Sequence, residues 1–267
     1  MSLQLDARQR AMLAEMGVRL FLPAQRAAAA AAAPESEAAV QPQRARAAEV
    51  PVPAAPQAVR PAARPVPVPV AIEARPTGID TMTWDVLAET VSGCRACKLC
   101  QSRRNTVFGV GDTRPDWLVI GEAPGENEDL QGEPFVGQAG KLLDNMLRPL
   151  GVSRKHKVYI ANVLKCRPPG NRNPEPEEVA QCEPFLRRQV ELLQPRIILA
   201  MGRFAVQSLL QTTEPIGRLR GRPHQYNGVP VVVTYHPAYL LRNLPDKAKA
   251  WADLCLAMSI MRENEAA

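Results

Sequence analysis

His236 is followed by proline at the end of the β-branched run Val229–Tyr235. An imidazole where a strand becomes a loop is placed for a site rather than a core, and it is the side chain best suited to donate or exchange a proton near neutral pH. A second apolar run ends in Ala161-Asn162-Val163-Leu164-Lys165-Cys166. Asn162 needs partners for its donors and its acceptor there, and its amide also matches a nucleobase edge that offers one donor and one acceptor. A third run leads into Gly121-Glu122-Ala123-Pro124-Gly125-Glu126-Asn127-Glu128-Asp129. Its glycines and proline make a tight turn with exposed amides. The acidic side chains are candidates for holding a water or reading an N–H; they would repel a phosphate. No Gly-Lys-Ser/Thr follows, so this is not a P-loop. Phe135, between Gly132 and Gly137, is placed to stack on a planar ligand. Taken singly, each segment also has a plainer reading: a solvated turn, a core plug, a structural amide, a structural histidine.

The cysteines add a second chemistry. Cys94-x2-Cys97 is followed far downstream by Cys166 and Cys182. Four thiolates complete the shell of a tetrahedral zinc or a [4Fe–4S] cluster, and spacing alone does not choose between them. Cys100 extends the first pair to Cys-x2-Cys-x2-Cys and leaves the ligand set ambiguous. Cys255, near Leu254, Met258 and Ile260, reads as core packing.

These residues need a scaffold. The runs Trp117–Gly121, Val158–Leu164, Ile197–Met201 and Val229–Tyr235 are uniformly apolar, as strands covered on both faces are. Helical patterns over Lys141–Leu150, Pro176–Leu193, Phe204–Leu210 and Lys247–Arg262 alternate with them, and another begins at Trp84 and ends at Gly93. Strand alternating with helix predicts a parallel sheet with helices on both faces. Ligands bind such sheets beyond the C-terminal strand ends, where His236, Asn162 and Glu122 fall.

Upstream the composition changes. Residues 24–80 form an Ala/Pro-rich linker, with pure alanine over 27–33 and closely spaced prolines over 51–69. Proline fixes φ and removes a donor, and few large apolar residues are present to offset ordering entropy, so disorder is expected. Residues 1–23 hold a short amphipathic pattern that reads either as a frayed terminus, since about three helical turns are marginal alone, or as a peptide that docks on a partner protein. The folded body is expected over 81–267. The chain has 267 residues and a formal net charge of +6, which permits an anionic partner without demanding one. No run of about 18 apolar residues predicts a membrane span. The N-terminus lacks the pattern of a secretory signal, and six cysteines are too sparse for a secreted disulfide scaffold. A cytoplasmic chain with reduced thiols is expected.

Together the motifs resemble the family 4, iron–sulfur uracil-DNA glycosylases of bacteria and archaea. The matching elements are Cys94-x2-Cys97, Val107-Phe108-Gly109, Gly-Glu-Ala-Pro-Gly-x2-Glu-Asp from Gly121, Gly-x-Pro-Phe-Val-Gly-x-Ala-Gly from Gly132, Asn162-x3-Cys-Arg-Pro-Pro, and His236-Pro-Ala-Tyr-Leu-Leu-Arg. Order and spacing match from about residue 94 to 262; the N-terminal region lies outside. The resemblance implies a three-layer α/β/α fold with a four-stranded parallel sheet, and removal of uracil from DNA. It implies a [4Fe–4S] cluster on Cys94, Cys97, Cys166 and Cys182, with Cys100 a spare thiol. Glu122 and the Ala123 backbone match positions lining uracil and the attacking water. Phe135 matches the stacking aromatic, Asn162 the uracil-reading amide, His236 the group near uracil O2; Glu128 lies within the same motif. Arg218, Arg220 and Arg242 are candidate phosphate contacts. A monomeric bacterial enzyme working at the nucleoid is implied. The alternative is a non-catalytic or trapping uracil-DNA binder tethered to a repair or replication partner; trapping is disfavoured because Ala139-Gly140 runs straight into a helix without a basic, histidine-bearing insertion.

Overall fold

The computed structural model describes residues 71–266; the readings of residues 1–70 lie outside the described residues. Six strands form one sheet: β1 (Val110–Gly111), β2 (Trp117–Gly121), β3 (Val158–Asn162), β4 (Ile197–Met201), β5 (Pro223–Tyr226) and β6 (Val229–Thr234), in the order β1-β3-β2-β4-β6-β5. The inner strands β3, β2, β4 and β6 pair in parallel. The expected four-stranded sheet is therefore extended by two antiparallel edge strands. Strand β1 is too short to show a period. Strand β5 carries a proline and is half exposed, but the Asn227-Gly228 pair that joins it to β6 has φ of 48° and 81°, the signature of a type I′ hairpin turn.

The helices are α1 (Trp84–Gly93), α2 (Glu126–Gln131), α3 (Gln138–Leu147), α4 (Pro176–Leu193), α5 (Arg203–Leu210), α6 (Ile216–Leu219), α7 (Pro237–Arg242) and α8 (Asp246–Ala266). Alternate strand residues feed two cores. Trp117 and Val119 pack with Leu143 and Met146 of α3, Leu240 of α7 and Leu254 of α8. Leu118 and Ile120 pack with Leu186 and Val190 of α4 and Val206 of α5. Burial on both faces explains why these strands read as continuous apolar runs.

Boundaries shift where local bonding decides them. Strand β3 ends at Asn162 instead of Leu164, because the Val163 and Leu164 amides turn to the Gly121 and Glu122 carbonyls, at 3.0 and 3.1 Å. The expected helix to Leu150 tightens into a 3-10 turn over Arg148–Leu150, where Pro149 has no N–H to continue it. Ordered packing starts upstream of Thr81: Ile79 is buried with Leu87, Val91 and Phe185, and the Glu73 amide donates to the Arg95 carbonyl at 2.9 Å. Cys255 is exposed on α8, not core-packed as its neighbours suggested.

Candidate active site

The chain steps from β2 to β3 on one side, then crosses to β4 on the other. Strand order reverses at β2, and such a switch point opens a crevice at the C-terminal strand ends. Glu122 and Ala123 follow β2, Asn162 ends β3, Gly202 follows β4, and His236 follows β6. With Glu128 and Phe135 they line one cavity of about 870 Å³.

Asn162 is 2% exposed, and its Oδ1 has no hydrogen-bond partner. Leaving a buried acceptor unpaired costs about 1–3 kcal/mol, so this oxygen is held ready for a ligand N–H. Its register explains its position. Asn162 pairs with Gly121 across β2 and β3, and a Cβ on Gly121 would lie 2.4 Å from Asn162 Oδ1 and 2.6 Å from the Phe135 ring. The glycine is the gap into which both side chains fit. The Asn162 carbonyl accepts from Lys165 Nζ at 2.9 Å, and the same buried nitrogen donates to Gln189 Oε1 of α4 at 2.6 Å.

Phe135 is buried and adopts φ 55°, a left-handed conformation unusual for an aromatic residue. Arg154 holds it there. Its Nη1 donates to the Pro134 carbonyl at 2.8 Å, its Nη2 to the Phe135 carbonyl, and its Nε to Asp144 at 2.6 Å. A Cβ on Gly140 would collide with the Phe135 carbonyl at 1.6 Å, so α3 approaches the loop only through a glycine.

Phe135 stacks on His236, with ring centroids 5.3 Å apart and planes 24° apart. His236 Nδ1 accepts the Ala238 amide at 3.1 Å and caps α7. With Nδ1 an acceptor, the neutral ring carries its proton on Nε2. Burial, aided by the nearby Arg242 charge, lowers its pKa to about 4. The imidazole is thus a neutral donor. Across Gly202 stands Glu122: a Cβ on that glycine would lie 2.5 Å from Glu122 Oε1 and 3.1 Å from His236 Cβ. Glu122 Oε1 accepts the Phe204 amide at 3.1 Å, and burial raises its pKa above the ordinary carboxylate value.

Glu128 lines the cavity, but its oxygens are engaged. Oε1 accepts the Val136 and Gly137 amides at 2.9 and 3.3 Å, and Oε2 the Gly125 amide at 3.1 Å. It staples the Glu122 turn to the Phe135 loop. Among the arginines, Arg242 and Arg203 are exposed and line the cavity, whereas Arg218 is exposed but lies outside it. Arg220 has a different occupation from the phosphate contact expected of it. It donates to buried Asp253 at 2.7 Å and to the Lys249 carbonyl at 2.5 Å, and its guanidinium sits 4.6 Å from the Tyr235 ring centroid. The sequence marks Gly121 as a turn residue but not as the gap for two side chains, and it does not single out Arg154 or Gly202. The glycines lay within or beside recognised motifs; nothing in the sequence pointed from Arg154 to Phe135.

Cys94 ends α1, Cys97 follows in the next loop, Cys166 follows β3, and Cys182 lies on α4. Cys166 and Cys182 are buried with Leu99 and Leu164, and Cys97 and Ala123 pack against them. The Cys97 and Cys94 thiols influence that of Cys166, and Cys166 and Cys97 that of Cys182. Burial pushes Cys166 to about 11 and Cys182 to about 12. Arg103 Nη1 donates to Cys166 Sγ at 3.0 Å. Among the described residues, no three His, Cys, Asp or Glu side chains close to the spacing of a single-ion site.

The family profile described as the uracil DNA glycosylase superfamily matches residues 108–255. The chain is 45% identical over 170 residues to a Type-4 uracil-DNA glycosylase of Saccharolobus solfataricus, covering 60% of this chain and 78% of that protein. It is 46% identical over 165 residues to a Type-4 uracil-DNA glycosylase of Archaeoglobus fulgidus, covering 59% and 82%. A Type-5 uracil-DNA glycosylase of Pyrobaculum aerophilum is more distant, at 30% over 191 residues, covering 59% and 83%.

Proposed function

The chain belongs to the uracil DNA glycosylase superfamily, and from that footing we propose that it removes uracil from DNA. It turns the nucleotide out of the stack and hydrolyses the bond between the base and the sugar, leaving an abasic site that opens base excision repair. The observation that carries this reading is the orphaned, buried Oδ1 of Asn162 in a cavity that also presents Phe135 and His236. Uracil N3–H supplies the missing donor, and its O4 takes the amide N–H.

In the reaction, the C1′–N1 bond breaks toward an oxocarbenium-like sugar and a uracil anion. The neutral Nε2–H of His236 stabilises charge at O2. Glu122, anchored by the Phe204 amide, orients the water that attacks C1′, and the proton this water releases neutralises the departing uracil anion. The Ala123 backbone lines the base, and Glu128 positions both loops. Arg242, Arg203 and Arg218 take backbone phosphates; such contacts weaken with salt.

Cys94, Cys97, Cys166 and Cys182 would hold a [4Fe–4S] cluster. Their donor set fits: Cys97, Cys166 and Cys182 share one buried cluster, Cys94 is near enough to Cys97 and Cys166 for their charges to interact, and Arg103 supplies an N–H to the Cys166 sulfur. The cluster would cross-link α1, β3 and α4 beside Ala123. Residues 1–23 would dock on a protein partner, with 24–70 as the tether.

The test is a glycosylase assay on a labelled oligonucleotide with one uracil. Alkali-revealed cleavage at that position is expected. Tight retention of the DNA without cleavage would identify a binder instead.

A further inference from the structure

The cavity is larger than its proposed substrate. About 870 Å³ lies near the top of the range for drug-sized ligands, about 300–1,000 Å³, and one pyrimidine fills a small part of it. Beyond Phe135 and Asn162 the lining includes Tyr235, Tyr239 and Arg242. The two tyrosine rings stack, with centroids 5.0 Å apart and planes 25° apart.

Both rings are held in place. The Arg220 guanidinium, itself held by buried Asp253, lies over the Tyr235 ring, and Tyr239 stacks on that same ring. Tyr239 donates its hydroxyl to Asp246 Oδ2 at 2.7 Å, and Lys249 Nζ holds that carboxylate at 2.8 Å. The Tyr239 hydroxyl is therefore occupied, and what that residue offers the cavity is ring face. A rigid aromatic face binds any base without reading it, and little entropy is lost on binding because the rings are already fixed. The pair lines the same cavity as His236, the group assigned to the uracil.

Resting on the uracil-glycosylase reading, we propose that the Tyr235–Tyr239 pair is a second stacking subsite. It takes the base of the nucleotide adjacent to uracil on the same strand.

Three uracil oligonucleotides test this: one with both neighbouring bases, and two in which either the 5′ or the 3′ neighbour is a tetrahydrofuran abasic residue. Wild-type protein is expected to lose on the order of tenfold in kcat/KM, mainly through KM, on one of the two base-deleted strands. Tyr239→Leu should lose a similar factor on the complete strand and little more on that deleted one. Tyr239→Phe, which keeps the ring, should keep the sensitivity to the missing neighbour. Equal wild-type kcat/KM on all three strands would overturn the subsite, with no variant needed. A Tyr239→Leu penalty of the same size on every strand would also overturn it. If wild-type protein cleaves none of the strands, the uracil-glycosylase reading itself falls.

Discussion

The Phe135 ring and the His236 imidazole lie nearly parallel, 5.3 Å between centroids and 24° between planes. A base stacked on the same face of Phe135 therefore lies close to the imidazole plane, edge to edge with it. In-plane approach is what an N–H···O bond to a pyrimidine carbonyl requires. On the proposed reading, one contact between side chains 101 positions apart would set both the stacking surface and the direction of the donor. Phe135→Leu should reduce kcat/KM by on the order of tenfold, measured on a single-uracil strand, as loss of one base–aromatic stack does.

Removing the donor should act on the chemical step. His236→Ala is expected to lower the single-turnover rate by about 10²–10³ and, through the lost cap on α7, stability by about 1 kcal/mol. Single-turnover kinetics and a urea titration separate the two effects. An unchanged rate would remove His236 from the mechanism.

The same residue gives stability a pH dependence of defined sign. Its folded pKa, about 4, lies below the ordinary 6.5. The unfolded chain therefore binds the extra proton first. The contribution is complete above pH 6.5 and is lost as pH falls from 6.5 toward 4, by up to about 3 kcal/mol. Urea midpoints should fall across that window in the wild type and less so in His236→Ala. Activity should meanwhile fall on acidification as Glu122, whose pKa burial raises, takes up its proton.

Gly121→Ala should separate activity from folding. The new methyl would press on Asn162 Oδ1 and the Phe135 ring. Overpacking of this kind costs typically about 1–3 kcal/mol, which a folded domain tolerates better than a displaced uracil-reading amide does. A loss of kcat/KM of at least about tenfold is expected, with little change in the circular dichroism spectrum. Full activity would show that the amide tolerates displacement.

Iron content tests the ligand set. Cys166→Ser should lower bound iron and the visible absorbance of the purified protein, while Cys100→Ser should leave both intact. The reverse result would exchange the two residues between ligand and bystander. Arg154→Met should leave iron unchanged and raise KM for uracil DNA, because the Phe135 carbonyl loses its clamp.

The amino-acid sequence by itself determined the inner scaffold and the end of the sheet at which the candidate site lies. Apolar runs bounded by glycine and proline located the inner strands, and strands covered on both faces have no other way to read. The motifs at their ends put Glu122, Asn162 and His236 on the right side of the sheet, because ligands gather at C-terminal strand ends. The hairpin from β5 to β6 has its turn signal in Asn227-Gly228, but β5 is half exposed and carries no apolar pattern to mark it as a strand. Only the tertiary structure decided what surrounds those groups. Arg220 has the composition of a phosphate contact and spends its charge on Asp253, 33 positions away. Glu128 has the composition of a site acid and binds backbone amides. Arg154 carries no local pattern, yet fixes Phe135 in a left-handed conformation. A side chain's partner is set by packing between distant segments, and neither periodicity nor spacing along one segment encodes it.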